Sequence, residues 1–147
     1  MDVQLCLDMA DAFFRIGTYA NSLDIEAQSS AILFRCDAFY TFPAVMNLAF
    51  ACELYLKAIC IKNGVSFDKS HALDRLFSDL PDAIRKQLSD NFEAKVKYKV
   101  SFKETIENHS NAFIRWRYAY EDKNRDVEAY PDNLLLATEI LREYIQR

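Results

Sequence analysis

Glycine and proline are almost missing from this chain. Gly17 and Gly64 are the two glycines, and Pro43, Pro81 and Pro131 the three prolines, in 147 residues. These residues punctuate turns, so their scarcity predicts long helices joined by few turns. No Cys-x-x-Cys pair occurs among the four cysteines, Cys6, Cys36, Cys52 and Cys60. On one helix Cys52 and Cys60 would stand about 12 Å apart by rise alone, too far to bridge. The four therefore read as buried thiols in a reducing cytoplasm. With only two histidines and no tight ligand cluster, no metal and no cofactor is implied. Basic excess is lacking too: a net charge of -4 gives no global attraction to nucleic acid, although local basic patches remain open. Residues 1–13 carry acids where a secretory signal would carry bases. Glycine-rich phosphate loops, nucleophile elbows and the His-Glu-x-x-His motif are all missing, which excludes most enzymes that advertise themselves in sequence. The expectation is a soluble cytoplasmic protein with no membrane contact.

Apolar residues make up 51% of the chain and aromatic ones 14%, a globular composition. The length fits one domain over residues 1–147, with about two thirds of the unfolded surface buried. The chain is organised around residues 43–64, PAVMNLAFACELYLKAICIKNG. This stretch is expected to be too polar and too short to span a membrane. As a helix it places Val45, Leu48, Ala49, Cys52, Leu56 and Ile59 on one face and Phe50, Leu54 and Ile61 on nearly the opposite face. A helix apolar on both sides wants neighbours on both, so it is predicted to be the centre of a bundle. Glu53 and Lys57 interrupt it one turn apart, where they can pair.

Along the chain, residues 2–17 predict an amphipathic helix with Gln4, Asp8, Asp11 and Arg15 on a narrow polar face. Val3, Leu5, Cys6, Leu7, Met9, Ala10, Phe13, Phe14 and Ile16 cover the rest, a stripe wide enough to meet a partner subunit. The helix is expected to continue with a break near Asn21–Ser22. Residues 29–39 regain apolar character. Thr41 stands near the cap of the central helix, Pro43 in its first turn, and Asn63–Gly64 at its stop. Ser70 or Asp68 is expected to cap a helix with Leu73, Leu76, Phe77 and Leu80 on its apolar face, ended by Pro81. A charged helix over residues 82–99 follows, striped by Ile84, Leu88, Phe92 and Val96. Ser101 and Glu104 have capping-box spacing. The helix they open carries Phe102, Ile106, His109, Phe113, Trp116 and Tyr120, and residues 120–130 read as a loop. Pro131 opens the last helix, with Leu134, Ala137, Ile140, Leu141, Tyr144 and Ile145 on its apolar side. No strand alternation or internal repeat stands out, so the fold class is all-α, a bundle of four to six helices.

Three constellations carry chemistry. Glu53 with Lys57 is either an ordinary helix pair or an acid facing a ligand groove; if buried, Glu53 needs Lys57 or an arginine such as Arg115 or Arg117. In RWRYAYE, residues 115–121, Arg117 and Glu121 can pair, and Trp116 and Tyr120 face inward. The plain reading is an anchored aromatic helix. The sharper one is an anion site in which Arg115 and Arg117 hold phosphate while a tyrosine such as Tyr118 stacks a base. Of the histidines, His109 reads first as a satisfied core residue, and His71 as a group packed at a helix start. Histidine is the residue type that general acid–base catalysis uses most often, so either is a candidate for it. The candidate binding set is Glu53, Lys57, His71, Arg115, Arg117, Tyr118 and Glu121; His109, Arg115 and Arg117 are the catalytic candidates.

The stretch NLAFACELYLKAICIKNG, the following His71-Ala72-Leu73 that leads LDRLFSDLP, and FIRWRYAYE together resemble the HEPN superfamily, the higher-eukaryote and prokaryote nucleotide-binding domain. The resemblance runs from about Pro43 to the last helix. It implies an up-and-down helical bundle, often a homodimer. Many members are metal-independent ribonucleases of toxin–antitoxin, phage-defence and RNA-processing systems. Their signature is an arginine, four to six residues, then histidine. This chain departs from it: Phe102, Lys103 and Glu104 hold the arginine positions before His109, and none precedes His71. The implied function is therefore a non-catalytic module that self-associates through its first and last helices and binds a protein, nucleotide or RNA partner. The alternative is a metal-independent ribonuclease with an atypical site.

Overall fold

The computed structural model describes residues 2–29, 40–68, 70–112, 115 and 130–147. Among them run six helices and no strand: α1 (Val3–Ser29), α2 (Thr41–Lys62), α3 (Leu73–Asp79), α4 (Asp82–Glu93), α5 (Phe102–Asn108) and α6 (Pro131–Gln146). The all-α bundle matches the sequence pattern. The stretch 30–39, with Cys36, and most of the expected aromatic helix, with Phe113, Trp116 and Tyr120, lie outside the described residues.

The centre is α2, with α1, α3 and α6 packed on it. Every residue from 51 to 60 is buried, as a helix apolar all round requires. By length and composition α2 is apolar enough to cross a membrane, contrary to the expectation that this stretch is too polar and too short. Yet 72% of its most apolar window is buried inside the bundle, so neighbouring helices take up that apolar surface. Its start has no side-chain cap; Thr41 instead donates its hydroxyl to Asp24 of α1 at 2.7 Å. Its end is a Schellman turn: Gly64 N–H bonds Ile61 O, Val65 N–H bonds Cys60 O, and Gly64 takes φ +64°.

The helix α1 runs unbroken for 27 residues, about 40 Å, continuing beyond Gly17 as expected and running through the expected break at Asn21–Ser22. Gly17 is a contact point. A Cβ there would stand 2.7 Å from Leu48 Cγ, so the missing side chain lets α1 close on α2. Buried Asn21 donates to Asp132 of α6 at 3.1 Å, and Ser22 returns its hydroxyl to Tyr19 O, so neither interrupts the helix. Asp11, expected on the solvent face, accepts from Arg142 Nε of α6 at 2.9 Å and from the buried Tyr55 hydroxyl of α2. The edge of Phe13 meets Phe50 at 4.5 Å between ring centres.

The small helices close the other side. Leu73, Leu76, Phe77 and Leu80 are buried, as are Ile84, Leu88 and Phe92. Phe77 of α3 and Phe92 of α4 both meet Phe102 of α5, at 5.1 and 5.5 Å. Ser110, from beyond α5, caps α3: its hydroxyl accepts Asp74 N–H at 3.1 Å. The expected caps, Asp68 and Ser70, instead accept Ser70 N–H and Ala72 N–H and shape the turn before it. The charged helix stops at Glu93 rather than Lys99. Continuing it would stack Lys95 over Lys99, like charges one turn apart. Ser101 and Glu104 form the predicted capping box. On α6, Leu134, Ala137, Ile140, Leu141 and Ile145 are buried, and Lys62 donates to Ile145 O at 2.9 Å near the helix end.

Candidate functional site

Glu53 lies in the middle of α2 and is 1% exposed. Helix spacing brings Lys57 beside it, with Nζ 2.6 Å from Oε1. The turn at Gly64 reverses the chain, and the approach to α3 then carries His71 back over α2. Its Nδ1 lies 2.9 Å from the same Glu53 oxygen. Lys57 is buried, whereas the His71 side chain is 56% exposed and forms the open side of the trio. A carboxylate this deep requires such partners, since a lone buried charge would cost several kcal/mol. With Nδ1–H donated to Glu53, a neutral His71 ring keeps its lone pair on Nε2. The Cys6 thiol of α1 sits close to this group and donates to Leu54 O at 3.3 Å. Burial pushes its pKa up, with Lys57 opposing and Glu53 adding to the rise. Burial also raises Cys52, and raises Cys60 to about 11, so these thiols stay protonated and unreactive at neutral pH.

His109 belongs elsewhere. It ends α5 rather than continuing it, is 2% exposed, and has its Nδ1 2.8 Å from Thr105 O. Its Nε2 accepts Tyr130 N–H at 3.4 Å. Burial lowers its pKa, and the bond to the Thr105 carbonyl offsets only part of that. Both ring nitrogens are thus engaged by backbone, fastening the end of α5 to the start of α6. Arg115 is exposed, and Glu53 has Lys57 and His71, not Arg115, as its partners among the described residues. The catalytic candidates His109 and Arg115 are therefore not grouped with the acid. Arg117, Tyr118 and Glu121, with the expected Arg117–Glu121 pair, lie outside the described residues.

A second feature escaped sequence reading. A cleft of about 530 Å³ opens between the segment before α5, the α5 end and the α6 start, lined by Tyr98, Thr105, Asn108, His109, Tyr130 and Asn133 among others. Tyr98 is 71% exposed and Tyr130 48%. Exposed Lys97 and Lys99 flank Tyr98, and neither makes an ion pair among the described residues. The signal was the run Lys95-Val96-Lys97-Tyr98-Lys99, which reads as part of a charged helix until the helix is seen to stop short of it.

These features define an all-helical bundle built on one largely buried helix, which carries a buried acid neutralised by its own lysine and by a histidine from the next turn of chain. The chain belongs to the HEPN domain family, whose model matches residues 28–146. That membership points to a nucleotide- or RNA-related module. No curated protein and no solved structure is significantly similar to it. Most of α1 precedes the matched span, whereas the Glu53 trio and the tyrosine cleft lie within it.

Proposed function

We propose that this chain is a non-catalytic HEPN module that self-associates through α1 and binds a nucleotide, RNA or protein partner in the cytoplasm. A prokaryotic toxin–antitoxin or phage-defence system is its setting. The observation that carries the reading is a stripe on α1: Leu5, Met9, Ala12, Ile16, Tyr19 and Leu23, spaced four and three residues apart in alternation, with all but half-buried Leu23 exposed. That is the spacing of a helix seam. An antiparallel second copy centred near Phe14 would set Leu5 opposite Leu23, Met9 opposite Tyr19 and Ala12 opposite Ile16, so all six positions are used. The exposed large apolar side chains Leu5, Met9, Ile16 and Tyr19 all lie on α1, which supports α1 as the main dimer surface. The non-catalytic half of the reading is supported by His109, whose nitrogens are both engaged, and by the missing arginine before it. Light scattering on the eluting protein at micromolar concentration tests the dimer. Two chains are expected for the wild type and one for a folded Ile16→Glu variant; a wild-type mass of one chain would refute self-association.

One observation favours a second reading, a metal-independent ribonuclease with an atypical site. A buried carboxylate that orients the partly exposed ring of His71 is an arrangement suited to proton transfer. RNA cleavage without added metal, lost in folded His71→Ala, would establish it. Intact RNA across several sequences with folded wild type keeps the binding reading.

A further inference from the structure

We infer that the cleft between Tyr98 and Tyr130 seats a base of single-stranded RNA, with Lys97 and Lys99 holding the phosphates on either side. This rests on the nucleotide- or RNA-binding reading above and names its site and ligand.

The chemistry of the lining carries the inference. Both tyrosines are substantially exposed, whereas Tyr55, Phe77, Phe92 and Phe102 are buried. Tyrosine faces are stacking platforms for unpaired bases, and any base has a face to offer. Inside, Asn108 and Asn133 bring amide groups that donate and accept, which suits the polar edge of a base. His109 forms a buried wall whose nitrogens are already engaged, so it shapes the cleft without adding charge. Among the described residues, no lysine or arginine lines the cleft. A base would find a slot of ample volume, part apolar and part polar, whose one carboxylate among the described residues, Asp132, already accepts from Asn21.

The cations stand at the rim. Lys97 and Lys99 are the chain neighbours of Tyr98, both exposed and both without an ion pair among the described residues. Lys95, by contrast, is held by Glu143 at 3.1 Å and Lys103 by Glu107 at 3.6 Å. In a chain of net charge -4, two unneutralised lysines around an exposed tyrosine form a local exception to the overall acidity. Such a site favours a strand with unstacked bases. A duplex hides its bases in the stack and would offer the tyrosines nothing.

The test is fluorescence anisotropy of short labelled single-stranded RNAs with the full chain. Tyr98→Ala is expected to weaken binding roughly tenfold, and Tyr98→Trp to retain it, as stacking requires. Because Tyr98 is so exposed, neither change threatens the fold. Replacing Lys97 and Lys99 by alanine should flatten the dependence of log affinity on log salt by about 1.4, the value for two phosphates of a single strand. Matched duplex RNA should bind more weakly. RNA binding untouched by Tyr98→Ala but lost in Arg115→Ala would overturn the cleft and leave the RNA-binding reading standing. Mononucleotides bound as tightly as RNA, with no effect of the lysine changes, would overturn the strand and leave a free-nucleotide site. If neither RNA nor mononucleotide binds the wild type, the site and the reading beneath it both fall.

Discussion

At the residue scale, the Glu53 trio is held together by the cost of leaving any charge alone. Lys57 and His71 converge on one oxygen of an acid that solvent barely reaches. Buried pairs of this kind gain little over well-packed apolar residues, but removing one member strands the other. Lys57→Met should therefore cost about 3 kcal/mol, at the low end of the usual range because His71 remains beside the acid. Combining it with Glu53→Met should recover most of that loss. Urea unfolding of the wild type, the single variants and the double variant closes the cycle; a double variant as weak as the sum of the singles would show that the pair is not what holds this region. The Lys57 half of the trio is legible in sequence, since four-residue spacing on a helix is local. The His71 half is not, because it depends on where the chain re-emerges after Gly64.

At the element scale, the close approach of α1 to α2 hangs on Gly17. Alanine would add about 1 kcal/mol of helix propensity. Its Cβ would also press on Leu48 Cγ at 2.7 Å and on Leu48 N at 3.0 Å. Backbone cannot swing aside as a side-chain tip can, so overpacking, about 1–3 kcal/mol, outweighs the propensity gain. Gly17→Ala should lower stability by up to about 2 kcal/mol, the overpacking less the propensity gain, measured by thermal or urea melts. Gly64→Ala should also destabilise, for another reason: nothing crowds it, but its φ of +64° strains any other residue. The same contrast explains what could be read beforehand. The Schellman turn, the Ser101–Glu104 box and the apolar faces of α2, α3 and α6 follow from local spacing. The role of Gly17 is not legible in the sequence, because it lies across the interface, in Leu48. Ser110 capping α3, and Tyr98, Asn108 and Asn133 converging on one cleft, join segments that only the fold brings together.

At the scale of the whole molecule, acid should act first on the junctions that α6 makes with the rest of the bundle. His109 ties α5 to α6 and is buried, which lowers its folded pKa below the ordinary 6.5. The unfolded chain then binds a proton more readily, so the contribution of His109 is complete above about pH 6.5 and is lost as pH falls below it. Asp11 ties α1 and α2 to α6. Burial alone would raise its pKa, but the hydrogen bonds from Arg142 and Tyr55 outweigh this and bring it below 3.8. Its contribution is present above about pH 3.8 and is lost in stronger acid. Glu139 runs the other way: burial and Glu143 raise it above 4.5, so the folded chain takes up that proton first and gains stability as pH falls through this interval. The expected profile is a decline below pH 6.5, a shallower stretch near pH 5, and a final drop below pH 4. His109→Asn should flatten the first decline and leave the last; Asp11→Asn should do the reverse. Stability measured by urea midpoint at each pH decides it. A first decline that persists in folded His109→Asn would mean that some other group, not the α5–α6 fastening, senses mild acid.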